Sequence, residues 1–325
     1  MPDQPHHHDE ASRPWTIGVD LGGTKCVGVL LDDTAIVREV ARVPTPQGPA
    51  AFVDVLTGVA DELLRRSPAP VAGVGFGVPG LVSQDGVLRY APHLPGIVEV
   101  DLGRSLRQRR ERHVVVENDN TSATWAEYEA RRSQANPPRS LLYVGLGTGI
   151  GGGLVTDGQL VRGTHGFAGE IGHTVIAIDG PECVCGRCGC WEVYASGRAL
   201  AELMRAAGLL VDDRLAVDGA DLRRMLALGS SDAEAIAKRF ARHVAIGVVN
   251  LVLTLDVDHV VLGGGVIGDA AAEGADAPLL GRVRQAIVTE FGDAADHRAR
   301  PEVTAAAHGP LSGAIGAAML ARLPD

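Results

Sequence analysis

Cys183, Cys185, Cys188 and Cys190 crowd into eight residues and follow His173, the last residue of the segment GEIGH at 169–173. One histidine with three cysteines makes a closed, four-ligand zinc site of the structural kind. The CxC spacing is not that of an ordinary zinc finger, so spacing alone does not choose the three sulfurs. Four free thiols this close would invite oxidation without a purpose. The fifth cysteine, Cys26, stands alone. No apolar leader is legible in the first thirteen residues, so a metal site in the cytoplasm is expected rather than disulfides.

Three glycine turns could handle a nucleotide. Asp20-Leu21-Gly22-Gly23-Thr24-Lys25 ends an apolar run in a turn whose backbone N–H groups can approach phosphate oxygens. An aspartate at the end of a strand can organise Mg2+ through water. No Gly-Lys-Ser/Thr opens a helix afterwards, so this is not a P-loop, and a plain hairpin turn fits the same residues. Gly147-Thr148-Gly149 lies within the run GLGTGIGGG at 145–153. The third turn, 263–265 with Gly264 and Gly265, follows an apolar run and reads equally as a seat for adenosine or as the start of a helix. Glu117-Asn118-Asp119-Asn120 supplies a different chemistry. A carboxylate there can take the proton of a sugar hydroxyl, and the Asn118 amide can donate and accept. The alternative is that Asn and Asp only terminate a strand.

The elements that must carry these residues follow from apolar spacing. Strands are expected at 16–21, 26–31, 35–43, 71–78, 114–117, 141–146, 151–156 and 259–262. Helices are expected at 52–66, 195–207, 232–255, 278–291 and from Pro310 to the C-terminus. TIGVDLGGTKCVGVLLDD and LLYVGLGTGIGGGLVTDG share one order of strand, Gly/Thr turn, strand and acidic turn, which reads as an internal duplication. Two glycine loops, one per repeat, suit two lobes closing on a triphosphate. The expected organisation is a polar tail at 1–14 (His6, His7 and His8 included), a small lobe at 15–125 joined by a terminal helix at 310–325, and a larger lobe at 126–309 with the zinc motif. A length of 325 residues fits two lobes. A net charge of −10 speaks against nucleic acid, and no apolar run is long enough to span a bilayer.

DLGGTK, VPG, END, GTGIGGG, GEIGH and CxCGxxGCxE, in this order, resemble the ROK (repressor, open reading frame, kinase) family from about Trp15 to the last helix. The resemblance implies an α/β, actin-like and hexokinase-like fold of two duplicated ribonuclease-H-type lobes. It implies a sugar kinase that uses ATP and catalytic Mg2+ and carries a structural Zn2+. Its zinc ligands fall on His173, Cys183, Cys185 and Cys190, which leaves Cys188 a bystander. Its sugar contacts fall on Gly80 of the VPG motif, Asn118, Asp119, Glu170, His173 and Glu192, with Asp119 the base. Nucleotide and Mg2+ contacts are expected at Asp20, Gly22, Gly23, Thr24, Lys25, Gly147, Thr148, Gly149, Gly264 and Gly265. The repressors of the family carry a helix-turn-helix domain before the kinase-like part, and about fifteen residues precede IGVDLGGTK here. A homodimer or higher homo-oligomer is expected, with a hexose and ATP as the other partners.

The segment YAPHLPGIVEV at 90–100 departs from the common pattern. Many relatives have Asn where His93 stands and Trp where Ile97 stands. The histidine resembles some actinobacterial-type glucokinases, which implies D-glucose. Amino and acetamido sugars are the alternatives (N-acetylglucosamine, N-acetylmannosamine or 3-amino-3-deoxyglucose), and a catalytically silent sugar sensor is a third. Residues 78–97, Arg89 included, are expected to choose among the sugars.

Overall fold

A computed structural model describes residues 14–23, 25–45, 51–91, 94, 96–108, 112–210, 212, 214–268, 278–292 and 299–322. Thr24, His93 and the polar tail with its three histidines lie outside the described residues. Strands β1 (Trp15–Leu21) and β2 (Lys25–Leu31) are buried nearly throughout, as central strands of a covered sheet must be. They pair antiparallel across the Gly22-Gly23 turn, with Leu21 opposite Cys26. Strand β3 (Val37–Pro44) completes a meander. Helix α1 (Phe52–Arg66) turns Phe52, Leu56, Val59 and Leu63 inward, each no more than 2% exposed. Burial of each such side chain is worth about 1.5–3 kcal/mol. Strand β4 (Val71–Val78) runs parallel to β1. A small sheet of β5 (Leu81–Val82), β6 (Val87–Tyr90) and β7 (Val98–Asp101) follows, then α2 (Leu102–Gln108). Strand β8 (His113–Asn118) adds parallel to β4 and leads directly into α3 (Asp119–Arg132).

The second half repeats this order. Strands β9 (Ser140–Leu146), β10 (Ile150–Thr156) and β11 (Gln159–Leu160) form a second meander. Helices α4 (Glu192–Ala195), α5 (Gly197–Ala206), α6 (Gly219–Ala227) and α7 (Ser231–Leu255) follow. Strand β12 (His259–Gly263), α8 (Pro278–Phe291) and β13 (Glu302–Ala305) complete the sheet. The two large sheets read β3-β2-β1-β4-β8 and β11-β10-β9-β12-β13, each a three-strand meander with two parallel strands added on one side. The duplication visible in two hairpins is therefore a duplication of whole sheets. Each sheet has its own apolar core.

The last helix, α9 (Ser312–Leu320), returns to the first sheet. A Cβ at Gly18 or Gly75 would run into the carbonyl oxygens of Ala314 and Ala317, so the helix backbone rests directly on β1 and β4. Pro310 sits in a 3-10 turn, Gly309–Leu311, ahead of α9 rather than inside its first turn. Helix α3 is absent from the elements expected from periodicity. Its buried positions include Thr121, Ser122, Thr124, Glu127 and Arg131, so it carries no apolar stripe to read. It packs against α9 on one side and β9 and β10 on the other, and it runs through residues 125–126, where a lobe boundary was expected. Among the described residues, no helix is long and apolar enough to cross a membrane.

Candidate active site

Asp20 is the penultimate residue of β1 and Asn118 the last of β8, and β4 lies between the two strands in register: Gly77 stands opposite both Asp20 and Glu117. A Cβ at Gly77 would sit 3.4 Å from Asp20 Oδ1 and 3.5 Å from Asp119 Cα. The Asp20 carboxylate and the start of α3 thus meet over one glycine. Helix α9 closes the far side, where a Cβ at Gly313 would lie 2.7 Å from the Asp20 carboxyl carbon. Burial, reinforced by the Asp119 charge, holds the Asp20 carboxyl well above the usual carboxylate range. Burial also raises Asp119, against hydrogen bonds from Asn120 that favour its charged form. Asp20 Oδ1 is shielded from solvent and has no hydrogen-bond partner among the described residues. Two facing carboxylates with an orphaned oxygen are a donor set for a hard divalent cation, and Mg2+ fits it.

Asn118 is the N-cap of α3: its Oδ1 accepts from the N–H groups of Asn120 and Thr121 at 2.9 and 3.0 Å. Its Nδ2 donates to Gly80 O at 3.1 Å. The strand-ending reading of this residue is the one its hydrogen bonds show. The oxygen terminates the strand and starts the helix, while the amide keeps one N–H for a ligand. Asn120, which had no assigned role, donates from N and Nδ2 to Asp119 Oδ1, both at 2.9 Å. Its amide fills the space that a Cβ at Gly145 or Gly151 would need. Those two glycines of GLGTGIGGG make room for a side chain that aims Asp119. Only 147–149 form the turn, closed by Gly147 N–H donating to Gly149 O at 3.0 Å. Nothing short of the fold distinguishes these glycines, since all are the same letter.

The glycine turns of the two halves face each other, with a Cβ position at Gly23 only 3.7 Å from Thr148 Oγ1. Gly22 N–H donates to Lys25 O at 2.9 Å, which closes the first turn, and Lys25 is exposed. The N-terminus of α5, capped by Ser196, abuts the second turn through Gly197 N–H to Gly147 O at 2.7 Å. Gly264, with φ of 86°, packs on Leu146. Gly265 O accepts from Gly219 N–H at 2.9 Å at the start of α6. The Gly22-Gly23, 147–149 and 263–265 turns and two helix N-termini therefore line one region.

The metal cluster lies beside it. His173, Cys183, Cys185 and Cys190 bring one donor atom each to within 4.8 Å of one another. Cys183 Sγ stands 3.6 Å from His173 Nδ1, and Cys185 Sγ stands 3.6 Å from Cys190 Sγ. Zn–S bonds of about 2.3 Å put the sulfurs of a tetrahedron about 3.8 Å apart, so the set fits Zn2+. Cys188 is exposed and outside this group. Burial pushes the Cys183 thiol up, and a dication at the cluster reverses that by favouring the thiolate. Trp191, next in the chain, is fully buried and donates from Nε1 to His243 O of α7 at 2.8 Å. The cluster is thereby seated on the longest helix.

His173 turns its other ring nitrogen away from the sulfurs, with Nε2 3.7 Å from Glu170 Oε2. Glu170 keeps 41% of its side chain open. The protein crowded around it raises its pKa, and Asp119 and Glu192 add to that against His173. Glu192 is 8% exposed; its Oε1 accepts from Cys183 Sγ at 3.2 Å and its Oε2 from Ile150 N–H at 3.4 Å. Two residues of the 78–97 segment have partners within the first half of the chain. Ile97 is 2% exposed and part of the apolar core of the first half. Arg89 is bound to Glu99 at 2.6 Å. A side chain spent on the core, as that of Ile97 is, is not presented to a ligand.

The chain matches the ROK family over residues 16–323. It is 32% identical to a glucokinase of Streptomyces coelicolor over 332 residues, covering 95% of this chain and 98% of that one. It is 32% identical to an N-acetylmannosamine kinase of Salmonella arizonae over 310 residues, covering 94% and 98%. A ROK family glucokinase from Streptomyces griseus, solved with glucose and AMPPNP, superposes with a TM-score of 0.82 at 30% identity, covering 95% of this chain and 99% of that one. With its duplicated sheets, its facing glycine turns and its His/Cys cluster, the chain belongs to the ROK family.

Proposed function

We propose that this ATP-dependent sugar kinase transfers the γ-phosphoryl group of ATP to the 6-hydroxyl of a hexopyranose, with D-glucose as the first candidate. The observation that carries the reading is the Asp119 carboxylate, at the start of α3 beside Asp20 and held by Asn120, which packs on Gly145 and Gly151 of the second glycine run. Asp119 accepts the hydroxyl proton as the new P–O bond forms, and the β–γ bridging oxygen leaves with ADP. Asp20 would hold Mg2+, which would supply neutralisation of the charge on the phosphates. The backbone N–H groups near Gly23 and 147–149 orient the phosphates, which is most of what phosphoryl transfer needs. Gly80, Asn118, Glu170, His173 and Glu192 hold the ring hydroxyls. With Nδ1 turned to the zinc site, His173 has one tautomer and offers Nε2 to the sugar.

N-acetylmannosamine is the second reading, favoured by the acetamido-sugar kinases at the same identity as the glucokinases. A panel of glucose, mannose, N-acetylmannosamine, N-acetylglucosamine and 3-amino-3-deoxyglucose, each with ATP and Mg2+ and with the product's phosphorylated carbon assigned by NMR, tests both. Phosphorylation at a position other than O6 would overturn the first. The lobe division near α3, a cytoplasmic location and a homodimer or higher homo-oligomer without nucleic-acid or membrane partners belong to the same reading.

A further inference from the structure

The Glu117–Arg162 ion pair joins the two halves of the site. Glu117 is the last residue before Asn118-Asp119, and its side chain is 7% exposed. Its Oε1 accepts from Asn118 N–H at 3.2 Å, and its Oε2 accepts from Arg162 Nε at 2.6 Å. Arg162 starts the loop that ends at Gly169 and Glu170. Arg162 O accepts from Ala168 N–H at 3.0 Å, which closes the loop on itself, and Gly169 O accepts from Gly152 N–H at 3.0 Å. Beside it, Gln84 Nε2 donates to Gly163 O at 2.9 Å. One arginine thus grips the strand end that presents Asp119 with its side chain and the base of the Glu170 loop with its carbonyl.

We propose that Arg162 is a positioning residue for phosphoryl transfer, setting through Glu117 the separation between Asp119 and the Glu170 side of the sugar cleft. The inference rests on Asp119 as base and Glu170 as sugar contact. A buried carboxylate left without its partner is costly. Burial alone raises the Glu117 pKa, and the Arg162 charge opposes that. Loss of the arginine therefore moves Glu117 and, through the Asn118 N–H, the residue before the base. Misplacement by about 1 Å costs on the order of a hundredfold in rate. Among the described residues, the bonds of this pair run to Asn118 and the 162–169 loop and not to the nucleotide turns, so the effect belongs to the sugar side.

The test compares Arg162→Ala, Arg162→Lys, Glu117→Gln and the Ala/Gln double variant with the parent, and Asp119→Asn in parallel. The substrate is whichever of D-glucose and N-acetylmannosamine the parent turns over faster. We expect Arg162→Ala to lose about tenfold or more in kcat/KM for the sugar. Its KM for ATP should stay within about twofold, and its zinc content should stay at the parent's level. Arg162→Lys should regain most of the loss, since one N–H contact is used. The double variant should be no worse than the poorer single variant. An unchanged kcat/KM in Arg162→Ala, an equal rise in the KM for ATP, or multiplying losses in the double variant would overturn the proposal. Should Arg162→Ala not fold, Glu117→Gln must show the same sugar-selective loss. An active Asp119→Asn would sink the base assignment itself, whereas an inactive Asp119→Asn with a normal Arg162→Ala sinks this inference alone.

Discussion

Asp119→Asn should move activity and stability in opposite directions. Asparagine is nearly isosteric, and its Oδ1 can still accept from Asn120 N and Nδ2, the two bonds that orient residue 119. The cap of α3 is made by Asn118, so the helix start is untouched. Two electrostatic effects remain. A negative charge in the first turn of α3 is favoured by the helix dipole by about 0.3–1 kcal/mol. Burial beside Asp20 disfavours that charge. The net direction is visible in the raised Asp119 and Asp20 carboxyls: burial and repulsion outweigh the dipole and the hydrogen bonds. A group whose folded pKa lies above its unfolded value costs stability once the pH exceeds the unfolded value, so at neutral pH the neutral amide should be the more stable occupant. The catalytic effect has the other sign. Loss of a general base costs about a hundredfold to ten-thousandfold, or about 2.7–5.4 kcal/mol of barrier. Steady-state turnover with saturating sugar and ATP measures the first effect, and thermal melts without ligand measure the second. Turnover within about tenfold of the parent would refute the base role, and a lower melting temperature would refute the account of the buried pair.

Cys185→Ser should lose its zinc and melt earlier, while Cys188→Ser should keep about one zinc per chain; elemental analysis of both variants decides it. Gly151→Ala drives a Cβ into the Asn120 amide, so turnover should fall by about tenfold, with the melting temperature nearly unchanged. Asp32 accepts from Thr34, Ile36 and Arg38 and is held down to about 2. Its folded value is below its unfolded one, so its contribution of about 2 kcal/mol is complete above pH about 4 and lost as the pH falls towards 2. Asp32→Asn should therefore be destabilised at neutral pH and approach the parent in acid denaturation midpoints.

Local order was legible in the residues themselves. Apolar spacing marked α1 and α8 at their observed ends and β4 over its full length, because those segments bury one continuous face or both faces. The two Gly/Thr hairpins exposed the duplication, since a turn of that kind writes its conformation into a few adjacent letters. The His/Cys set was legible as chemistry, because few other uses suit such a cluster. Other features had no local signature. Helix α3 escaped because most of its buried side chains are polar, and what they face comes from α9, the turn before it and the second sheet, all distant in the chain. Glu117 and Arg162 are forty-five residues apart, and neither marks the other until the two sheets meet. Ile97 stood in a segment that read as ligand-facing, yet core packing claimed it. Covalent neighbours set turns, strands and ligand types; which carboxylates share a buried space, and which glycines make room for Asn120, depended on contacts between elements far apart in the chain.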